Sequence, residues 1–121
     1  MKISGVDFAV VPTRDAAAAR DFYGNVLGLP CSVQYGKLPG FEYETGTLTL
    51  AVLEAEAFGM EFRNCGPIAL RVDDVPAARA ELEARGVEFE GDIVDSGVCH
   101  QAYFKDPDGN PLILHHRYAP K

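Results

Sequence analysis

All three histidines of the chain, His100, His115 and His116, fall in its last quarter, beside Cys99 and Tyr103. Imidazole and thiolate are the usual ligands of zinc and other transition metals, and imidazole with phenol can carry a proton in and out of a reaction. Whether these residues can act together depends on which way they face. They flank FKDPDGN (104–110), a turn signal in which Pro fixes φ, Asp bonds nearby backbone, and Gly and Asn tolerate positive φ. A hairpin symmetric about Asp108 sets Tyr103 opposite Ile113 and Gln101 opposite His115. Because side chains alternate along a strand, Cys99, Gln101, Tyr103, Ile113 and His115 then share one face, and His100 and His116 share the other.

That division limits the chemistry. One histidine and one cysteine remain on the first face, whereas a transition metal takes three or more protein ligands. Cys99 and His115 would sit diagonally on different rungs, with no third group to orient a nucleophile pair. His100 and His116 are expected under a helix or near a sheet edge.

The elements that hold this hairpin are written twice. ISGVDFAVVPT (3–13) reads as a strand and TRDAAAARDFYGNVLG (13–28) as a helix, capped by Thr13 or Asp15 and ended by Gly28. Ala19, Phe22, Tyr23, Val26 and Leu27 form its apolar stripe. Strand candidates follow at 30–36, 41–46 and 47–55, and residues 54–64 are polar. The order then restarts: a strand at 66–72, a helix at 73–86, and strands at 87–95, 98–105 and 111–118. At a shift of 59, Asp15 falls on Asp74, Ala18 on Ala77, Ala19 on Ala78 and Arg20 on Arg79. The chain is thus read as an α+β protein of two tandem βαβββ modules, about 1–55 and 65–121, joined by a linker at 56–64.

Composition sets outer bounds. A chain of 121 residues is one domain, long enough to fold without disulfides or structural metal. Its net charge of −7 argues against nucleic acid and acidic membrane surfaces as partners. The three cysteines show no paired spacing, and the N-terminus has no apolar run suited to a signal peptide or membrane span. A cytoplasmic protein with free thiols is expected.

On FY…LGL (22–29), IALRVDDV (68–75) and above all FKDPDGNPL (104–112), the sequence resembles the vicinal oxygen chelate superfamily. That group includes glyoxalase I, extradiol dioxygenases, fosfomycin-modifying enzymes and bleomycin-binding proteins. The resemblance covers nearly the whole chain. It implies two modules curling mixed sheets around a shared cleft, and four ligand positions on the cleft wall. Those positions fall here at Phe8, Thr49, Pro67 and Ile113. Phe, Pro and Ile offer no side-chain donor, and a neutral Thr hydroxyl is a poor ligand. Glu44 and Glu54, each five residues from Thr49 and of opposite parity, do not replace it after a slip of one. No metal and no cofactor are expected.

The face of Ile113 is then the cleft face, and Phe8, Thr49, Arg71, Gln101, Tyr103, Ile113 and His115 are the candidate ligand-binding residues. Together they suit an apolar or aromatic body with one or two polar handles. Arg71 could pair with a carboxylate or phosphate on the ligand. The acidic charge fits a cationic ligand instead, and the sequence leaves that conflict open. Tyr35, Phe41 and Tyr43, in YGKLPGFEY (35–43), form a candidate aromatic rim. The expected function is metal-independent binding of a small organic molecule, as in the bleomycin-binding branch, with a homodimer as the expected assembly. The alternatives are a lyase, isomerase or epimerase using Tyr103 and His115 as acid and base, a metal enzyme with a non-standard site, and a structural subunit with a vestigial cleft.

Overall fold

The computed structural model describes residues 1–121, which form two compact units, Met1–Cys65 and Gly66–Lys121. Each holds a four-stranded mixed sheet with a helix on one face.

In the first unit the strands are β1 (Phe8–Thr13), β2 (Cys31–Gln34), β3 (Gly40–Glu44) and β4 (Thr49–Glu54), in the spatial order β1-β4-β3-β2. β1 lies parallel to β4, which pairs antiparallel with β3. Alternation sorts the side chains between two faces. Val11, Leu50, Val52, Phe41 and Tyr43 are buried on one, while Phe8, Val10, Glu42, Glu44 and Thr49 lie on the other. Each large apolar side chain removed from water on the helix side contributes about 1.5–3 kcal/mol.

The first helix is shorter than its apolar stripe predicts. Residues Ala16–Arg20, α1, are α-helical, and Asp21–Val26 widen into a π-helical segment. The backbone N–H of Leu27 reaches Phe22 O at 2.8 Å, five residues back. Phe22 and Tyr23, which the apolar stripe already placed together, are both buried along this wider turn. Gly24 passes close to Tyr43, where an added Cβ would come within 3.5 Å of the ring. Gly28 then turns with φ of 72°, a conformation that favours glycine. Asp15 is the cap, accepting from Ala18 N at 3.1 Å, while Thr13 Oγ1 braces the backbone of Asp15.

The second unit contains β5 (Ile68–Arg71), α2 (Val75–Ala84), β6 (Phe89–Asp95), β7 (Cys99–Lys105) and β8 (Pro111–Arg117), with strands in the order β5-β8-β7-β6. Asp74 caps α2 through Ala77 N at 2.9 Å, so the two aspartates matched by the internal repeat do the same work in both units. Val75, Leu82, Ala102, Phe104, Leu112 and Leu114 are buried. Arg79 reaches from α2 to Gly91 O at 2.9 Å and lies 4.9 Å over the Phe89 ring, tying the helix to β6 at its bulge. Both units follow the βαβββ order read from the sequence.

Candidate functional site

Each sheet leaves one face without a helix, and the candidate residues divide between these faces.

On the second unit the hairpin register is the one expected. Gln101 pairs with His115, Tyr103 with Ile113, and His100 with His116. β5 extends each rung, since Ala69 pairs with Ile113 and Arg71 with His115. Arg71, His115 and Gln101 therefore occupy one rung of the open face, and Ile113 and Tyr103 the rung beside it. Arg71 is exposed, and the other four are half-buried. The Tyr103 hydroxyl donates to Gln101 Oε1, two residues along the same strand. Cys99 lies farther along this face opposite Arg117 and is buried, so it does not stand beside His115.

The turn that sets this register is built around Asp106. Its carboxylate accepts from Asp108 N and Asn110 N, each at 2.9 Å, and from Asn110 Nδ2 at 2.8 Å. Gly109, with φ of 84°, donates its backbone N–H to Asp106 O at 3.0 Å. Asp106 and Asn110 are buried, so these bonds are shielded from water.

His100 and His116 lie on the helix side of the sheet. His100 Nε2 is 3.3 Å from Asp95 Oδ2, and its ring stacks 4.7 Å from Tyr118, whose hydroxyl donates to Asp95 Oδ1 at 2.7 Å. These bonds hold Asp95 below the ordinary aspartate range, chiefly through Gly97 N and the Tyr118 hydroxyl, and they fold the C-terminal tail back onto its own unit.

On the first unit, Phe8 pairs with Thr49 and stays 57% exposed, with Val10 exposed beside it on β1 and Val33 exposed on the opposite edge strand. Here the structure adds what parity along a single strand missed. Glu44 is the rung partner of Thr49 on the neighbouring strand and so shares its face, with Glu42 two residues away. Thr49 Oγ1 donates to Glu44 Oε1 at 2.6 Å and Ser32 Oγ donates to Oε2. The Tyr35 hydroxyl donates to Glu42 Oε2. That bond, with some burial, pushes Tyr35 up to about 12. Parity along the chain does not carry across the loop between β3 and β4, so it is the strand pairing that sets Glu44 beside Thr49. Glu54, by contrast, stands at the far end of β4 with its carboxylate toward Ala16 N, 3.4 Å away.

The hydrogen bonds from Ser32 and then Thr49 lower the Glu44 carboxyl below its usual 4.5. A folded-state value below the unfolded one stabilises above the unfolded value and is lost as pH falls through the folded one. NMR titration of the Glu44 carboxyl carbon is expected to show this low value, and Ser32→Ala to raise it. An unchanged titration in Ser32→Ala would remove the serine as the cause.

A separate groove of about 650 Å³ lies on the helix side of the first unit, lined by Arg20, Asp21, Asn25, Cys31, Phe41 and Tyr43 among others. None of the seven candidate ligand-binding residues lines it, but Phe41 and Tyr43, expected at an aromatic rim, do, because strand alternation buries both on the helix side. Its polar groups are engaged at home: Asn25 Nδ2 donates to Asp21 Oδ1 at 2.9 Å, Arg20 lies 5.4 Å over Phe41, and the Cys31 thiol points to Val33 O at 3.3 Å.

The positions that the family resemblance assigns to metal ligands hold Phe8, Thr49, Pro67 and Ile113, with one neutral hydroxyl among them, and no three His, Cys, Asp or Glu side chains group as a metal ion would need. The donor set does not fit a metal ion. No helix is long and apolar enough to cross a membrane.

A family model described as Glyoxalase/Bleomycin resistance protein/Dioxygenase superfamily matches residues 5–114. Among solved structures, TnmS3, an antibiotic binding protein from Streptomyces sp. CB03234, is 30% identical with a TM-score of 0.81, covering 97% of this chain and 98% of its own. An integron cassette protein from the V. Cholerae mobile metagenome is 26% identical with a TM-score of 0.75, covering 98% of each chain. Lactoylglutathione lyase from Agrobacterium tumefaciens shares the fold at 18% identity, with a TM-score of 0.80 and 94% of each chain covered. No curated protein matches.

Proposed function

The chain belongs to the Glyoxalase/Bleomycin resistance protein/Dioxygenase superfamily, and from that premise we propose that it is a metal-independent binding protein for a small organic molecule. The observation that carries this reading is the chemistry of the four ligand positions. Three have no side-chain donor atom, and the fourth, Thr49, already gives its hydroxyl proton to Glu44. Each open face carries apolar surface beside polar handles, Phe8 and Val10 with Thr49 on the first unit and Ile113 with Gln101 and Tyr103 on the second. Either composition suits an organic ligand held by burial and oriented by hydrogen bonds. Likeness to TnmS3, described as an antibiotic binding protein, supports sequestration over turnover.

The acid–base alternative rests on Tyr103 and His115, which share a face on adjacent rungs. Tyr103 already directs its hydroxyl proton to Gln101, so its first role is to fix that amide. Exposed Ile3, Val6, Phe8 and Val10 at the N-terminal side support self-association, and a homodimer is the assembly we propose. The free thiols agree with a cytoplasmic setting.

The test is a binding screen against antibiotics and metabolites, repeated after exhaustive chelation, with metal content measured on protein purified without chelator. Tight binding, unchanged by chelation and without product formation, is expected. A near-stoichiometric transition metal whose removal abolishes binding would overturn the reading, and product formation lost in Tyr103→Phe or His115→Phe would transfer it to the enzyme class.

A further inference from the structure

We propose that the rung Arg71–His115–Gln101 on the second unit is an anion-recognition site, so that the ligand carries a carboxylate on an aromatic or apolar body. This rests on the ligand-binding reading above and names the chemical class it would take.

The rung gathers donors that no protein acceptor matches. Arg71 stands at the end of β5, His115 on β8 and Gln101 on β7, in consecutive register across one face. Neighbouring strands lie about 4.8 Å apart, so the three side chains start close enough to converge on one small group. A guanidinium offers a planar fork of donors, and an imidazole carries an N–H in either protonation state. Gln101 would be ambiguous, because an amide both donates and accepts. In the structure the Tyr103 hydroxyl donates to Oε1, which leaves the amide NH₂ as the group free to donate. Along the same face, Arg117 has Nε buried without a hydrogen-bond partner, while its Nη2 turns to Pro120 O at 3.2 Å.

What these donors lack is an acceptor from the protein. The chain carries 18 acidic residues against 11 basic ones, so an arginine could readily find a carboxylate. The ion pairs of this unit go elsewhere: Lys105 with Glu90, Arg79 with Glu83, Arg85 with Glu81 and His100 with Asp95. On the next rung Ala69, Ile113 and Tyr103 supply an apolar floor, and Glu90, which continues that rung on β6, gives its carboxylate to Lys105 at 3.3 Å. The open face of the first unit makes the opposite case. Its carboxylates Glu42 and Glu44 already accept from Tyr35, Ser32 and Thr49. Cation recognition would compete with donors already in place, whereas anion recognition would complete a set that has none. The net negative charge of the chain therefore does not decide the sign of the ligand; the local rung does.

Three probes of one shape test this: naphthoate, naphthamide and naphthylmethylammonium, titrated into the full chain by NMR and calorimetry. Naphthoate is expected to bind about tenfold more tightly than naphthamide, with Arg71, Gln101 and His115 shifting most. Arg71→Gln should remove most of that preference and Arg71→Lys should keep part of it. Gln101→Leu, on another strand, removes a donor independently should the arginine variant fold poorly. Equal binding of all three probes, tighter binding of the ammonium, or an undiminished preference in both variants would overturn the anion site and leave the ligand-binding reading standing. If none of the three binds at its solubility limit, the anion site is overturned. If the wider screen is also empty, the ligand-binding reading falls with it.

Discussion

Asp106→Ala is expected to lose about 3–5 kcal/mol of stability. Alanine removes the acceptor of three bonds at once, from Asp108 N, Asn110 N and Asn110 Nδ2. These donors sit in a turn whose Asp106 is 6% exposed and whose Asn110 is fully buried, so water does not replace the carboxylate without opening the hairpin. Leaving a buried donor unpaired costs about 1–3 kcal/mol, and the three donors share one site, so their costs do not simply add. Asp106→Asn keeps one carbonyl oxygen and should cost roughly half as much. Urea unfolding of the three proteins gives the comparison. A loss below about 1 kcal/mol in the alanine variant would mean that the turn is held by its glycine and proline conformations instead. The functional consequence follows from register. The same turn sets Tyr103 opposite Ile113 and Gln101 opposite His115, so a loosened hairpin would also scatter the donor rung.

Tyr43→Ala should cost a comparable 3–5 kcal/mol, by a different mechanism. Tyr43 is 1% exposed on the helix side of the first sheet, with Tyr23 and Phe41 ring centroids 6.1 and 6.3 Å away. Deleting the ring opens a cavity that the backbone of the π-helical segment, resting on it at Gly24, cannot readily fill. The hydroxyl contributes little to this. It reaches Arg20 O at 3.5 Å, the outer limit of a hydrogen bond, so Tyr43→Phe should stay within about 1 kcal/mol of the parent. Chemical denaturation of the pair separates packing from hydrogen bonding. Equal losses in both variants would show that the hydroxyl, not the ring, holds the segment.

Much of the fold was legible because its determinants are local. Turn chemistry at 106–110 and strict alternation on either side fix which residues face which way, and the observed pairs Gln101–His115, Tyr103–Ile113 and His100–His116 are those the sequence implies. The paired helix caps at Asp15 and Asp74 were legible for the same reason, since a cap bonds to backbone three residues on. The mismatch between the family's ligand positions and Phe8, Thr49, Pro67 and Ile113 needed only residue types.

What tertiary structure alone decided lies between elements that are distant or out of phase in sequence. Glu44 is of the wrong parity for Thr49 along the chain, yet the loop from β3 to β4 folds it alongside, where it accepts the threonine's proton. The helical period grouped Phe22 with Tyr23, but the widening of Asp21–Val26 into a π-helical segment beside Tyr43 leaves no mark in it. The outward donor of Gln101 depends on its contact with Tyr103, and the nearest carboxylate of the open face, Glu90, is taken by Lys105. Sequence by itself determined the elements, the faces and the missing metal ligands, because these follow from neighbours along the chain. Tertiary structure decided which polar groups are already satisfied and which still lack a partner, because hydrogen bonds and ion pairs are settled across strands.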